Sequence, residues 1–105
     1  MIEDRIKYLE VKEVTKEYVE KALNEYALMT NTPLYGDLSD VVNIGISILE
    51  TKFPEIGPGY VGGSFVQAIV NNDLNGTFAS ADSTNARFVK FYCQLIYNFS
   101  PRFVL

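Results

Sequence analysis

The chain has 105 residues, a formal charge of −4 and no histidine. A chain of that length makes one domain that buries roughly two-thirds of its unfolded surface, and the acid excess argues against a general nucleic-acid binder, which needs a basic face for phosphates. Hydrophobic residues reach 48 %, with seven Tyr and seven Phe but no Trp, more than so small a core consumes, so some of them are expected to face another subunit or partner.

Residues 5–14, RIKYLEVKEV, alternate imperfectly and favour a short strand or extended lead-in. Thr15 then suits the cap of a helix from Lys16 to about Met29, with Val14 and Val19 as a hydrophobic staple and Glu17 and Lys21 paired four apart on the outer face. The stretch TNTPLYGD, residues 30–37, has the composition of a loop, after which Asp37 or Ser39 caps a second helix. Residues 41–49 fit both periods: Leu38, Val41, Val42, Gly45, Ile48 and Leu49 follow helical spacing, while Val42, Ile44, Ile46 and Ile48 alternate as in a half-buried strand. The length between breakers favours helix.

Gly57, Gly59 and Gly62 in PEIGPGYVGGSF have the G-x-G-x-x-G spacing of a dinucleotide fingerprint. Pro54 and Pro58 break the strand that fingerprint must leave, and no βαβ unit surrounds it. A linker entering a helix is the simpler reading, with the backbone N–H groups of Gly62, Gly63 and Ser64, beside Tyr60, placed to meet a phosphate or carboxylate. Ser64 and Gln67 form an S-x-x-Q capping box for a helix to about Val70.

Residues 71–82, NNDLNGTFASAD, mimic a calcium loop, with Asn71, Asp73 and Asn75 at ligand positions 1, 3 and 5 and Asp82 at 12. Only two carboxylates are supplied, so caps and a polar turn are the preferred reading and a weak calcium-binding regulatory module is the alternative. Asp82 or Ser83 caps a last helix of about Thr84 to Phe99, ended by Ser100-Pro101. Its polar stripe, Arg87, Lys90, Gln94 and Asn98, is narrow, so that helix is expected to be buried on most sides, inside a bundle or against another copy.

Catalysis has little to draw on. Without His a hydroxyl or thiol lacks its commonest base, Cys93 sits in an apolar segment that raises a thiol pKa, and Asp73 with Asp82 serve better as caps than as an acid and base pair. A single cysteine excludes an internal disulfide, no run approaches a membrane span, and Met1 is followed by charges instead of a secretory signal, so a cytoplasmic protein is expected. Tyr35, Tyr60, Tyr92 and Tyr97 offer stacking surfaces, and Arg87, Lys90 and Arg102 are the cations of the C-terminal half.

Gly63-Ser64-Phe65, Ala68-Ile69, Asn72-Asp73-Leu74, Ala81-Asp82, Asn85 and Tyr97-Asn98 with Pro101 form a pattern that resembles small proteins encoded by phages and prophages, over roughly the last forty residues. Gly62 stands where those proteins often carry Pro, and the N-terminal half is unmatched. The resemblance implies an accessory protein that works by binding in a host cell, blocking a host defence protein or, as an oligomer, sequestering a small nucleotide signal. The expectation is therefore a mainly α single domain of about four helices, a self-associating, non-enzymatic binding protein without cofactor. Tyr60, Gly62, Gly63, Ser64, Asn72, Asp73, Arg87 and Lys90 are its candidate ligand-binding residues.

Overall fold

A computed structural model describes residues 2–105, with side chains from residue 5 onward. Among these residues there are six helices and no strand: α1 Ile2–Thr30, α2 Ser39–Lys52, α3 Ser64–Val70, α4 Leu74–Ser80, α5 Ser83–Arg87 and α6 Val89–Asn98, followed by a 3-10 turn at Pro101–Phe103. The mainly α expectation holds, with six helices in place of about four.

The largest correction is α1. Residues 5–14 are helical, not extended, and run without a break into the helix expected only from Lys16. Tyr8, Val11, Thr15, Val19 and Leu23 recur every three or four residues and turn toward the core, while the Lys and Glu between them favour helix and face water. Thr15 is therefore no cap. It is buried in mid-helix, and its hydroxyl donates to the Val11 carbonyl at 2.7 Å. Val14 is exposed while Val19 is fully buried, so the two form no staple. At 29 residues α1 is about 43 Å long, matching the 41 Å long axis of the molecule. Asn31, in the left-handed region at φ 52°, ends it, with Thr32 N–H donating to the Ala27 carbonyl at 3.0 Å.

Residues 41–49 are helical, and α2 buries Val41, Val42, Ile46, Ile48 and Leu49. Gly45 decides how closely its neighbours approach. A Cβ there would lie 2.8 Å from Val19 Cγ1 and 3.2 Å from Leu95 Cδ2, so α1 and α6 both cross α2 where it has no side chain. Neither Asp37 nor Ser39 is its cap: Leu38 holds the N-cap position with no side-chain cap bond, Ser39 is the first helical residue, and Asp37 Oδ1 accepts from Ser39 N–H at 2.9 Å from one position before the cap.

The last helix is broken in two. Phe88 ends α5 and precedes α6, and Phe88, Phe91, Tyr92, Leu95 and Phe99, spaced one, three or four residues apart, form a stripe in the single core cluster. Each such burial is worth about 1.5–3 kcal/mol. The opposite face is open: Lys90, Cys93, Gln94 and Tyr97 are exposed, so α6 is buried on one side and not on most. No helix among the described residues is long and apolar enough to cross a membrane.

Candidate functional site

The glycine-rich stretch is strapped back along α2. Ile56 is buried, and a Cβ on Gly57 would fall 2.5 Å from Glu50 Cβ and 2.8 Å from its Cα, so only glycine lets the chain lie on that turn. Tyr60 N–H donates to the Gly57 carbonyl at 2.9 Å, Gly62 N–H to Thr51 Oγ1 at 3.0 Å, and the Tyr60 and Ser47 hydroxyls meet at 3.0 Å. The expected capping box is not formed. Gly63 holds the N-cap position of α3, Ser64 is its first helical residue, and Gln67 Nε2 donates to the Gly62 carbonyl at 2.7 Å. Two glycines of the G-x-G-x-x-G spacing are thus places of close packing, Gly57 on Glu50 and Gly62 on Val66 and Thr51, while Gly59 takes the left-handed conformation at φ 75°, and Gly62 N–H and the Tyr60 hydroxyl are already partnered inside the protein.

Beneath this strap lies a polar contact that sequence reasoning missed. Glu50 is only 3 % exposed, and its carboxylate accepts a hydrogen bond from the Tyr8 hydroxyl, with Lys12 Nζ at 4.0 Å from the other oxygen. Burial first, then the bond to Glu50 and its charge, push the Tyr8 hydroxyl up to about 12. A cavity of about 290 Å³ opens beside Tyr8, lined by Lys7, Val11, Glu55, Ile56 and Pro58 among others. Glu50 sits in an apolar run, ISILETK, where nothing in the sequence distinguishes it from a solvated helix end. Tyr8 was findable, because it continues the helical stripe of α1.

At the other end of α3, Asn72 and Asp73 act on the backbone. Asn72 takes the left-handed conformation at φ 63° and donates its N–H to Ile69, while Asp73 N–H reaches the Ala68 carbonyl at 2.9 Å, a double bond pattern that closes a helix C-terminus. Asp73 Oδ1 then accepts from Gly76 N–H at 2.9 Å and caps α4, and Asp82 Oδ1 accepts from Asn85 N–H at 2.7 Å and caps α5. Residues 74–80 are thus helix where the calcium-loop spacing needs an open ligand loop, and both carboxylates of that spacing are engaged. Among the described residues no group of three or more His, Cys, Asp or Glu gathers. Asn85 Oδ1 in turn accepts from the hydroxyl of the fully buried Tyr92 at 3.0 Å, and burial, then the charges of Asp82 and Asp40, drive that hydroxyl far above its ordinary pKa.

The remaining candidates lie apart from these. Arg87 Nη2 donates to the Pro33 carbonyl at 2.8 Å, with its guanidinium over the Tyr35 ring at 6.0 Å and over Phe88 at 5.4 Å. Lys90 is exposed on α6. The structure therefore groups Tyr60, Gly62, Gly63 and Ser64 on the strap, Asn72 and Asp73 after α3, and Arg87 with the loop that follows α1.

That last grouping is the most open to a partner. Leu28 is 83 % exposed and Tyr35 71 %. Leu28 borders an open cavity of about 550 Å³ with Pro33 and Leu34, and Arg87 holds the loop through the Pro33 carbonyl. Cys93, on the exposed side of α6, has its thiol pushed up by partial burial, as a non-reactive thiol would. No protein-family model matches the chain, and neither a curated protein nor a solved structure matches it.

Proposed function

We propose that the protein is a non-enzymatic accessory protein that works by binding another protein, with the end of α1 and the loop over residues 31–38 as its contact surface. The observation that carries this reading is the collection of Leu28, Tyr35 and Arg87 at one end of the molecule, large side chains left in water where a monomer gains nothing from them. Tyr and Arg are residue types that anchor interfaces, and the hydrogen bond to Pro33 holds Arg87 near the Tyr35 ring before any partner arrives. The resemblance of the C-terminal stretch to phage and prophage proteins supports a host protein, one that takes part in defence, as the partner.

Sequestration of a nucleotide signal is less well supported. It needs free backbone donors in the glycine stretch and a free cation, whereas Gly62 N–H is bonded to Thr51 and Arg87 to Pro33, which leaves exposed Lys90 as the cation of that reading. Two experiments test the choice. Equilibrium dialysis against a panel of mono-, di- and cyclic nucleotides is expected to retain none at micromolar protein, and retention would favour sequestration. Immobilised protein and its Leu28→Glu/Tyr35→Ala variant, exposed in parallel to bacterial lysate, are expected to differ in one specific captured protein. Equal capture by both removes this surface from the account.

A further inference from the structure

A second exposed face lies along the seam of α1 and α6. The two helices run antiparallel: Tyr18 packs on Phe99 with ring centroids 5.2 Å apart, and Tyr26 on Phe91 at 5.5 Å. Between them is a groove of about 340 Å³ whose floor includes Tyr18, Ala22 and Tyr26 and whose α1 wall is Lys21, Glu25 and Met29. We propose that this groove binds a second copy of the chain, α1 against α1 about a two-fold axis. This rests on the reading of the protein as a binding module but concerns a different surface from the one assigned to the host partner.

Charge and shape on the one face are complementary to themselves. Lys21 and Glu25 stand one turn apart on the same wall. A two-fold axis crossing α1 at the level of residue 23 brings Lys21 of each copy opposite Glu25 of the other, so both pairs form at once. The same operation carries Met29, almost wholly exposed at one end of the groove, to the level of residue 17, one position from Tyr18 at the other end. A thioether against an aromatic ring is a favourable contact. Tyr18 is fixed to receive it, since its ring is already packed edge-on against Phe99 and stacked on Phe103 at 5.7 Å. Ala22, the small residue of the floor, lies closest to the axis and lets the two helices approach within about 8–10 Å. A parallel arrangement has none of this, because it sets Lys21 against Lys21 and Glu25 against Glu25.

Sedimentation velocity of the full chain and of four variants tests the proposal. The unmodified protein is expected to dimerise, and Glu25→Lys and Lys21→Glu, each of which creates two like-charge pairs in its homodimer, are expected to weaken the dimer about tenfold. The Lys21→Glu/Glu25→Lys double variant restores it, and mixing the two single variants gives a heterodimer. Met29→Asp is expected to weaken it independently of charge. Circular dichroism melts identify any variant that loses its fold, which exposed positions of this kind are not expected to do. A monomer up to about 100 μM, or a dimer whose affinity ignores both the charge swap and Met29→Asp, overturns the proposal. Partner capture by such a monomer would leave the host-binding reading intact.

Discussion

The Tyr8 hydroxyl donates to the buried carboxylate of Glu50, forty-two positions away in sequence, and thereby ties the first half of α1 to the last turns of α2. A carboxylate left 3 % exposed needs such a donor, since Lys12 at 4.0 Å is its other neighbour and is itself half in water. Tyr8→Phe is expected to cost about 1–3 kcal/mol by leaving the acceptor short of a partner. Replacing Glu50 with Leu in the Tyr8→Phe background recovers part of the loss, because an apolar pair has nothing to satisfy. Urea unfolding midpoints of the three proteins measure both effects. An unchanged midpoint for Tyr8→Phe would mean that the tie carries no stability.

The same contact sets a pH dependence at the alkaline end. Tyr8 is pushed up to about 12 from an ordinary 10.0, and Tyr92 and Tyr18 are raised as well, in each case mainly by burial. The unfolded chain releases these protons first, so between pH 10 and about 12 it holds fewer protons than the fold and stability falls as pH rises. Below pH 10 these groups contribute no slope. Thermal melts from pH 9 to 12 are expected to show the decline, and Tyr8→Phe is expected to flatten part of it.

Gly57→Ala distinguishes a packed strap from a flexible linker. The new methyl would sit 2.8 Å from the Glu50 Cα, backbone that cannot swing aside, so a loss of about 1–3 kcal/mol is expected. Gly63→Ala, where nothing lies within 4 Å of the added atom, is expected to cost no more than about 1 kcal/mol. Equal effects at the two positions would show that the strap is not seated on α2.

Asp73 and Asp82 are expected to behave as caps. Each Asp→Ala change should cost about 0.5–2 kcal/mol, and millimolar calcium should leave the melting temperature of the unmodified protein where it was. A calcium-dependent rise that Asp73→Ala abolishes would restore the calcium-loop reading.

Where the sequence was legible, one physical signal dominated its segment. Asp82, one of the two residues offered as a cap, marks a helix start because its side chain reaches the N–H of Asn85 three residues on, and α2 is resolved by its length. The first half of α1 reads as extended because its buried face uses only one residue per turn, Tyr8 then Val11 then Thr15, and the exposed Ile6 before them and Leu9 among them imitate alternation. Thr15 looked like a cap because the same hydroxyl that satisfies an N-terminal donor also bonds back to a carbonyl four residues earlier. Ser64 and Gln67 had capping-box spacing but sit one place too far along, with Gly63 at the cap. The candidate surface was half legible. Tyr35 and Arg87 stood out as residue types, but their meeting through Pro33 spans fifty-four positions and depends on how the loop after α1 folds against α5.

The most direct measurement is a calorimetric titration of the host protein captured from lysate into the purified chain and into its Leu28→Glu/Tyr35→Ala variant. Saturable binding by the unmodified protein, weakened about tenfold or more in the variant, is the expected result. Identical isotherms for both would contradict the account, as would a chain that gives heat only with a nucleotide.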